Sequence, residues 1–255
     1  MLTTFTSFRL ISSDLNKSIE RTSSQPLVKR EIDHYNKTIG SIKSIDAFVK
    51  NDRVFKFAMK AFGLEDMDYA KAFMKKMLSE GVESRTTMAN RLSDKRYGEF
   101  VKAFNFARYG ELTTTFAATR GGAVDRYVRQ TLEETAGAQN EGVRLALYFQ
   151  RKAPSITSAY GLLADPALLK VAQTVLGLPV GQRTDVDATA RLIEQRMKIA
   201  DLKNPEKVQK LLQRFTAVWD ANTNLATASI DQISGVSAGG GMSMDLLFSL
   251  QKLRR

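Results

Sequence analysis

The chain has 255 residues, 43% of them hydrophobic, no cysteine and a formal net charge of +11. That is enough apolar material to bury a full core in one or two domains without disulfides or a structural metal. The missing cysteines exclude structural disulfides, thiolate catalysis and Cys-based zinc sites, and say nothing of the redox compartment beyond compatibility with the cytoplasm.

Residues 1–24 hold too few consecutive apolar side chains for the core of a signal peptide, and no stretch approaches the roughly 20 apolar residues of a membrane span. A soluble chain without a cleavable signal is expected, which leaves signal-less export open. Residues 5–37 read as a helix in two pieces. Phe8, Ile11, Leu15 and Ile19 fall on one stripe, and Ser23, Ser24 and Pro26 interrupt it before residue 27. So short an amphipathic entry needs a surface to cover, and the body of its own chain is the expected one.

A stretch that occurs twice comes next. Residues 48–64 (FVKNDRVFKFAMKAFGL) and 162–178 (LLADPALLKVAQTVLGL) align without a gap, with Lys56/Lys170, Ala58/Ala172, Gly63/Gly177 and Leu64/Leu178 identical. Both spell an N-cap (Asn51 or Asp52; Asp165 before Pro166), about three turns of apolar periodicity, then glycine and leucine. Helices are expected over 66–78, with Glu65, Asp66 and Asp68 at its start, and from Ser93 or Asp94 onward, with Tyr97, Phe100, Val101 and Phe104 at helical spacing. In the second unit Thr184 with Asp187 resembles a capping box, and Val208, Leu211, Leu212, Phe215 and Trp219 repeat the later stripe. Between the units, residues 123–152 read as a helical segment punctuated by Gly137 and Gly142, apolar nearly all round at 143–149 and therefore buried between its neighbours.

Nothing alternates convincingly with period two, so the expected fold is all-α. A single body over 1–227 comprises N-terminal helices (1–47), unit one (48–109), central helices (110–161) and unit two (162–220). A Gly-rich linker over 228–242 and an amphipathic helix over 243–255 follow, the latter with Met244, Leu246, Leu247, Leu250 and Leu253 as a partner-docking face.

Candidate chemistry is sparse. The one histidine, His34, reads as a surface or capping residue; Glu133–Glu134 and Asp66–Asp68 read as solvated helix charge rather than a catalytic dyad. The glycine pair in TRGGA (119–123) opens a helix but lacks the Lys-Ser/Thr of a phosphate-binding loop and any preceding strand. Met59, Met67, Met74, Met77 and Met88 are expected to fill the core of unit one. No catalytic residue, cofactor or metal site is assigned, and an enzyme is not expected. The charge excess is spread along the chain and heaviest in unit one, where Lys56, Lys60, Lys71, Lys75, Lys76, Lys95, Arg96 and Lys102 form the alternative candidate, a patch for nucleic acid or an acidic ligand. Nucleic acid is not the preferred partner.

KAFGLED (60–66), LSDKRYGEFVKAFNFARYG (92–110), YVRQTLEETAGAQNEGVRLALYFQRKAP (127–154) and LADPALL (163–169) resemble a domain-of-unknown-function family of alphaproteobacteria encoded among flagellar genes. The resemblance runs from about residue 27 to 220. It implies a structural, export-related or assembly role at the flagellum, with a flagellar protein as partner and a cytoplasmic or flagellum-associated location, and it carries over no catalytic residues. The expectation is a non-enzymatic protein acting through helix-mediated contacts.

Overall fold

A computed structural model describes residues 2–178 and 185–238, with side chains as far as Thr223. Among these the backbone forms helices and turns and no strand, and no helix is long and apolar enough to cross a membrane. The chain opens with α1 (Thr4–Ser13), α2 (Leu15–Ser23) and α3 (Pro26–Ile39). The expected first piece is divided at Asp14, whose carboxylate accepts the Lys17 amide and caps a new helix. Pro26 opens α3, where its missing N–H is not needed.

Unit one comprises α4 (Ile45–Lys50), α5 (Asp52–Ala61), α6 (Lys71–Glu80), α7 (Met88–Arg91), α8 (Lys95–Ala103) and α9 (Phe106–Tyr109). Two expected helices are corrected here. The one over 66–78 begins later, at Lys71: Glu65–Met67 form a 3-10 turn in which the Leu64 carbonyl takes the Met67 amide, so the acidic residues stand ahead of the helix. The long run from Asp94 is cut at Phe104, and Asn105 restarts it by accepting the Arg108 amide.

The centre is a hairpin of α10 (Gly121–Gln139) and α11 (Glu141–Lys152). The break falls at Asn140, whose side chain accepts the Gly142 and Val143 amides. Gly137 and Gly142 flank the break, and space is what requires them. A Cβ at Gly137 would lie 2.7 Å from the Arg144 side chain, and one at Gly142 would lie 2.6 Å from Trp219 and 2.8 Å from Thr4. Then come α12 (Ala159–Leu163), α13 (Pro166–Leu176), α14 (Val186–Arg196) and α15 (Pro205–Ala238). The cap of α14 is Asp185, which accepts the Asp187 amide, while Thr184 lies outside the described residues.

The doubled stretch has the same local shape in both places. A short helix (α4, α12) leads to an Asx cap: Asn51 accepts the Val54 amide, and Asp165 accepts those of Ala167 and Leu168. A longer helix then stops at a glycine with positive φ, +70° at Gly63 and +64° at Gly177. In both, the leucine amide reaches back across the stop, from Leu64 to the Met59 carbonyl and from Leu178 to that of Gln173, both at 2.9 Å. Beyond this unit the copies differ, since Phe104 ends α8 whereas Phe215 lies inside α15.

Two hydrophobic clusters result. The first gathers Tyr35, Phe48, Phe55, Phe57, Phe100, Phe104 and the buried Met59, Met74 and Met77, with Met67 and Met88 partly buried at its edge. Phe48 is its hub, with the rings of Phe104 at 4.7 Å and of Phe55 and Phe106 at 5.7 Å. The second gathers Leu145, Leu147, Phe149, Val171, Ile193, Leu212 and Phe215. Helix α10 lines the first cluster and α11 the second, so the hairpin joins them. Phe8 of α1 belongs to the second cluster, and the Thr4 and Phe5 amides donate to Asp220 of α15 at 2.9 and 3.2 Å. The entry helix therefore packs on its own chain, against the last described helix.

The linker expected from residue 228 is corrected as far as residue 238. Helix α15 runs through Ala238, since one interior glycine, Gly235, costs only about 1 kcal/mol relative to alanine. Gly239–Gly241 and the apolar set Met244, Leu246, Leu247, Leu250 and Leu253 lie outside the described residues.

Tyr35 is fully buried, its hydroxyl donating to the Thr119 carbonyl at 2.6 Å, and burial pushes its ionisation well above the ordinary range. With a raised folded value, its contribution is fully present below the usual tyrosine value of about 10 and is lost as pH rises past it, because the unfolded chain ionises first. Urea denaturation at about pH 8.5 and about pH 10.5 should therefore show wild type losing more stability than Tyr35→Phe over that interval. The variant should start about 1 kcal/mol weaker for the lost hydrogen bond. Equal losses in the two proteins would contradict this.

Candidate functional site

A cleft of about 680 Å³ lies between the two units and over the hairpin. The end of α5 (Phe62, Gly63), the start of α8 (Asp94–Arg96, Glu99) and the α12–α13 junction (Asp165–Leu168) form its walls. Helices α10 and α11 supply Arg126, Gln130, Glu133, Arg144, Tyr148, Arg151 and Lys152. The glycine stop of one copy and the Asx cap of the other thus face a common space.

Each polar wall is fixed by its own bonds. Asp94 caps α8 and is held bidentate by Arg96, with Nη2 to Oδ2 at 2.8 Å, and Arg96 Nη1 donates to the Gly63 carbonyl. Burial would raise the Asp94 carboxyl, but the Arg96 bonds overcome it and hold the group below the usual carboxylate range. Opposite, the Tyr148 hydroxyl donates to Asp165 Oδ2 at 2.6 Å; burial, then this bond, push the phenol upward.

Beneath lies a buried ion cluster. Glu133, 1% exposed, accepts Arg129 Nε and Arg151 Nε on one oxygen, both at 2.8 Å, and Arg151 Nη2 on the other at 2.6 Å. Arg129 also donates to the Leu147 carbonyl at 3.0 Å, tying α10 to α11. Glu133 was expected to be solvated. Its burial is a correction: the i,i+4 pair with Arg129 was visible in the sequence, but Arg151 arrives only through the hairpin.

The cations around the cleft outnumber their acceptors. Glu99 holds Lys152 at 2.8 Å and Arg126 at 3.4 Å; Glu141 holds Lys170 at 3.0 Å and Arg144 at 3.7 Å. With Glu133, three carboxylates are each shared by two cations. Two guanidiniums are steadied by rings, Arg126 over Phe62 at 4.7 Å and Arg151 over Tyr148 at 5.1 Å.

The basic set expected in unit one is largely spoken for. Lys56 meets Asp68 at 3.7 Å, Lys60 meets Glu134 at 2.5 Å, Lys71 pairs with Asp52, Lys75 meets Asp46 at 2.5 Å, and Arg96 holds Asp94. Lys76 and Lys102 are exposed and do not line the cleft, and of this set only Lys95 and Arg96 border it. His34 is half-buried on α3 beside Arg30, Lys37 and Arg53. At the TRGGA turn the Gly122 amide donates to the Ala117 carbonyl at 2.8 Å and Arg120 Nε to that of Thr114 at 3.0 Å, so the loop is bonded to its own chain.

These features define an all-helical protein with a charged cleft over a central hairpin. The chain belongs to the family of proteins of unknown function DUF1217, whose model matches residues 61–208. It is similar, at 50% identity, to protein AGR_C_984 from Agrobacterium tumefaciens, whose crystal structure superposes with a TM-score of 0.80. That match covers 86% of this chain and 96% of the other. No curated protein matches the chain.

Proposed function

We propose that the protein is a non-enzymatic, flagellum-associated component that works in structure, export or assembly through helix-to-helix contacts. The flagellar link rests on the resemblance of residues 60–66, 92–110, 127–154 and 163–169 to a family encoded among flagellar genes. One structural observation supports the mode of action: the first and last described helices pair, with Thr4 and Phe5 of α1 bonded to Asp220, and α15 continues as helix for 18 residues past that contact. At 1.5 Å per residue that is roughly 27 Å of helix after Asp220, the stretch this reading offers to a partner. Proteins that assemble the flagellar axis pair the helical ends of their chains, and this is a likeness of arrangement rather than of sequence.

Removal of the gene from its parent bacterium should impair swimming, and a tagged copy should collect at flagellar bases or filaments. A deletion strain that swims normally would remove this reading.

A further inference from the structure

We propose that the cleft between the units binds a small polyanion, about the size of a nucleoside diphosphate, through Arg126, Lys152, Lys95 and Arg144. This inference rests on the cleft alone and stands whether or not the protein serves the flagellum.

Charge balance supplies the first part of the argument. Lys152 has a side chain only 16% exposed, and among the described residues its single ion pair is to a carboxylate, Glu99, that it shares with Arg126. Among the described residues the one protein bond of the Arg126 guanidinium is the long 3.4 Å contact to Glu99. Lys95 reaches, among the described residues, only the Leu92 carbonyl, at 3.2 Å, and Arg144 only the shared Glu141. Lys152, largely removed from water, stabilises an added anion more than an exposed lysine does, because the screening around it is weaker, while Arg126 and Arg144, 44% and 41% exposed, and the exposed Lys95 add charge at the mouth.

Geometry supplies the second. Arg126 Cζ lies 4.7 Å from the Phe62 ring centroid, a cation–π contact that steadies the guanidinium beside the cleft, and a guanidinium offers a fork of N–H groups for bidentate bonds to phosphate or carboxylate oxygens. Gly137 lets the Arg144 side chain cross close to α10, where a Cβ would lie 2.7 Å away. The remaining carboxylates at the cleft are already committed, Asp94 to Arg96, Glu133 to Arg151, and Asp165 to Tyr148 and the α13 amides, so they oppose an anion less than bare carboxylates would. A cleft of about 680 Å³ lies in the range of roughly 300–1,000 Å³ that small-molecule sites occupy.

Calorimetric titration of the full chain at about 150 mM salt, where loose surface attraction is screened, tests this with ADP, pyrophosphate and citrate as separate probes. At least one should bind, and which of them does distinguishes a phosphate from a carboxylate ligand. Arg126→Gln with Lys152→Gln should weaken binding at least tenfold, whereas Lys76→Gln with Lys102→Gln, an equal charge change away from the cleft, should leave it unchanged. Glu99→Gln should tighten it severalfold by releasing both cations, a readout that a folding defect would not produce. No binding of any probe, equal weakening by the two double variants, or weaker binding by Glu99→Gln would each overturn the proposal.

Discussion

Glu133→Ala should destabilise the protein by about 3–5 kcal/mol, the usual cost of leaving buried charges without their partner. Arg129 and Arg151 converge on this one carboxylate at 2.6–2.8 Å, and its removal leaves two guanidiniums facing each other at the root of the hairpin. The adjacent Glu134 is the control. Its bond to Lys60 is as short, 2.5 Å, but both side chains keep 27% of their exposure, so Glu134→Ala should cost about 1 kcal/mol or less. Chemical denaturation of the two variants checks the contrast. Replacing Arg129, Glu133 and Arg151 together by apolar residues should recover much of the loss, because no charge is then stranded. Similar small losses for Glu133→Ala and Glu134→Ala would show that the cluster is not closed from water.

Gly142→Ala is the second large effect, and two opposing terms decide its sign. Alanine in a helix is better than glycine by about 0.5–1 kcal/mol. Against that, its Cβ would sit 2.6 Å from Trp219 of α15 and 2.8 Å from Thr4 of α1, and overpacking of this kind costs about 1–3 kcal/mol. Trp219 has little freedom to retreat, lying 5.6 Å from the Phe215 ring with Lys170 above it, so the clash wins. A net loss of about 1–2 kcal/mol is expected, together with a red shift in the emission of Trp219, the single tryptophan, as α15 lifts from the hairpin. Gly98→Ala provides the opposite case: its Cβ would meet only the Ala89 carbonyl, at 3.6 Å, so this variant should gain about 0.5–1 kcal/mol. An unshifted spectrum in Gly142→Ala would mean that α1, α11 and α15 do not meet as described.

What was legible in the sequence was local. The Asn51 and Asp165 caps and the Gly63 and Gly177 stops needed only a few adjacent residues, and both copies take the form that those residues dictate. The apolar run of 143–149 announced a buried helix, and α11 is one. Long-range partnership was not legible. Phe8 reads as the apolar stripe of an entry helix, but its destination among Leu147, Leu212 and Phe215 depends on how α1 returns to α15. Glu133 and Glu134 look alike in sequence, and only the hairpin turn at Asn140 brings Arg151 to one of them. The cleft was missed for the same reason, since Arg126, Lys152 and Glu99 are neighbours in space and belong to three separate helices. Counting lysines along unit one pointed elsewhere, because counting does not reveal that Lys60, Lys71 and Lys75 each face a carboxylate.

The functional account depends most directly on whether cells that lack the protein can build and turn a flagellum. Swimming should be impaired in the deletion strain, be restored by the full chain, and stay impaired with a chain truncated after Asp220, which keeps the α1–α15 contact but removes the rest of α15 and all that follows it. Full swimming in the deletion strain, or full rescue by the truncated chain, would contradict it.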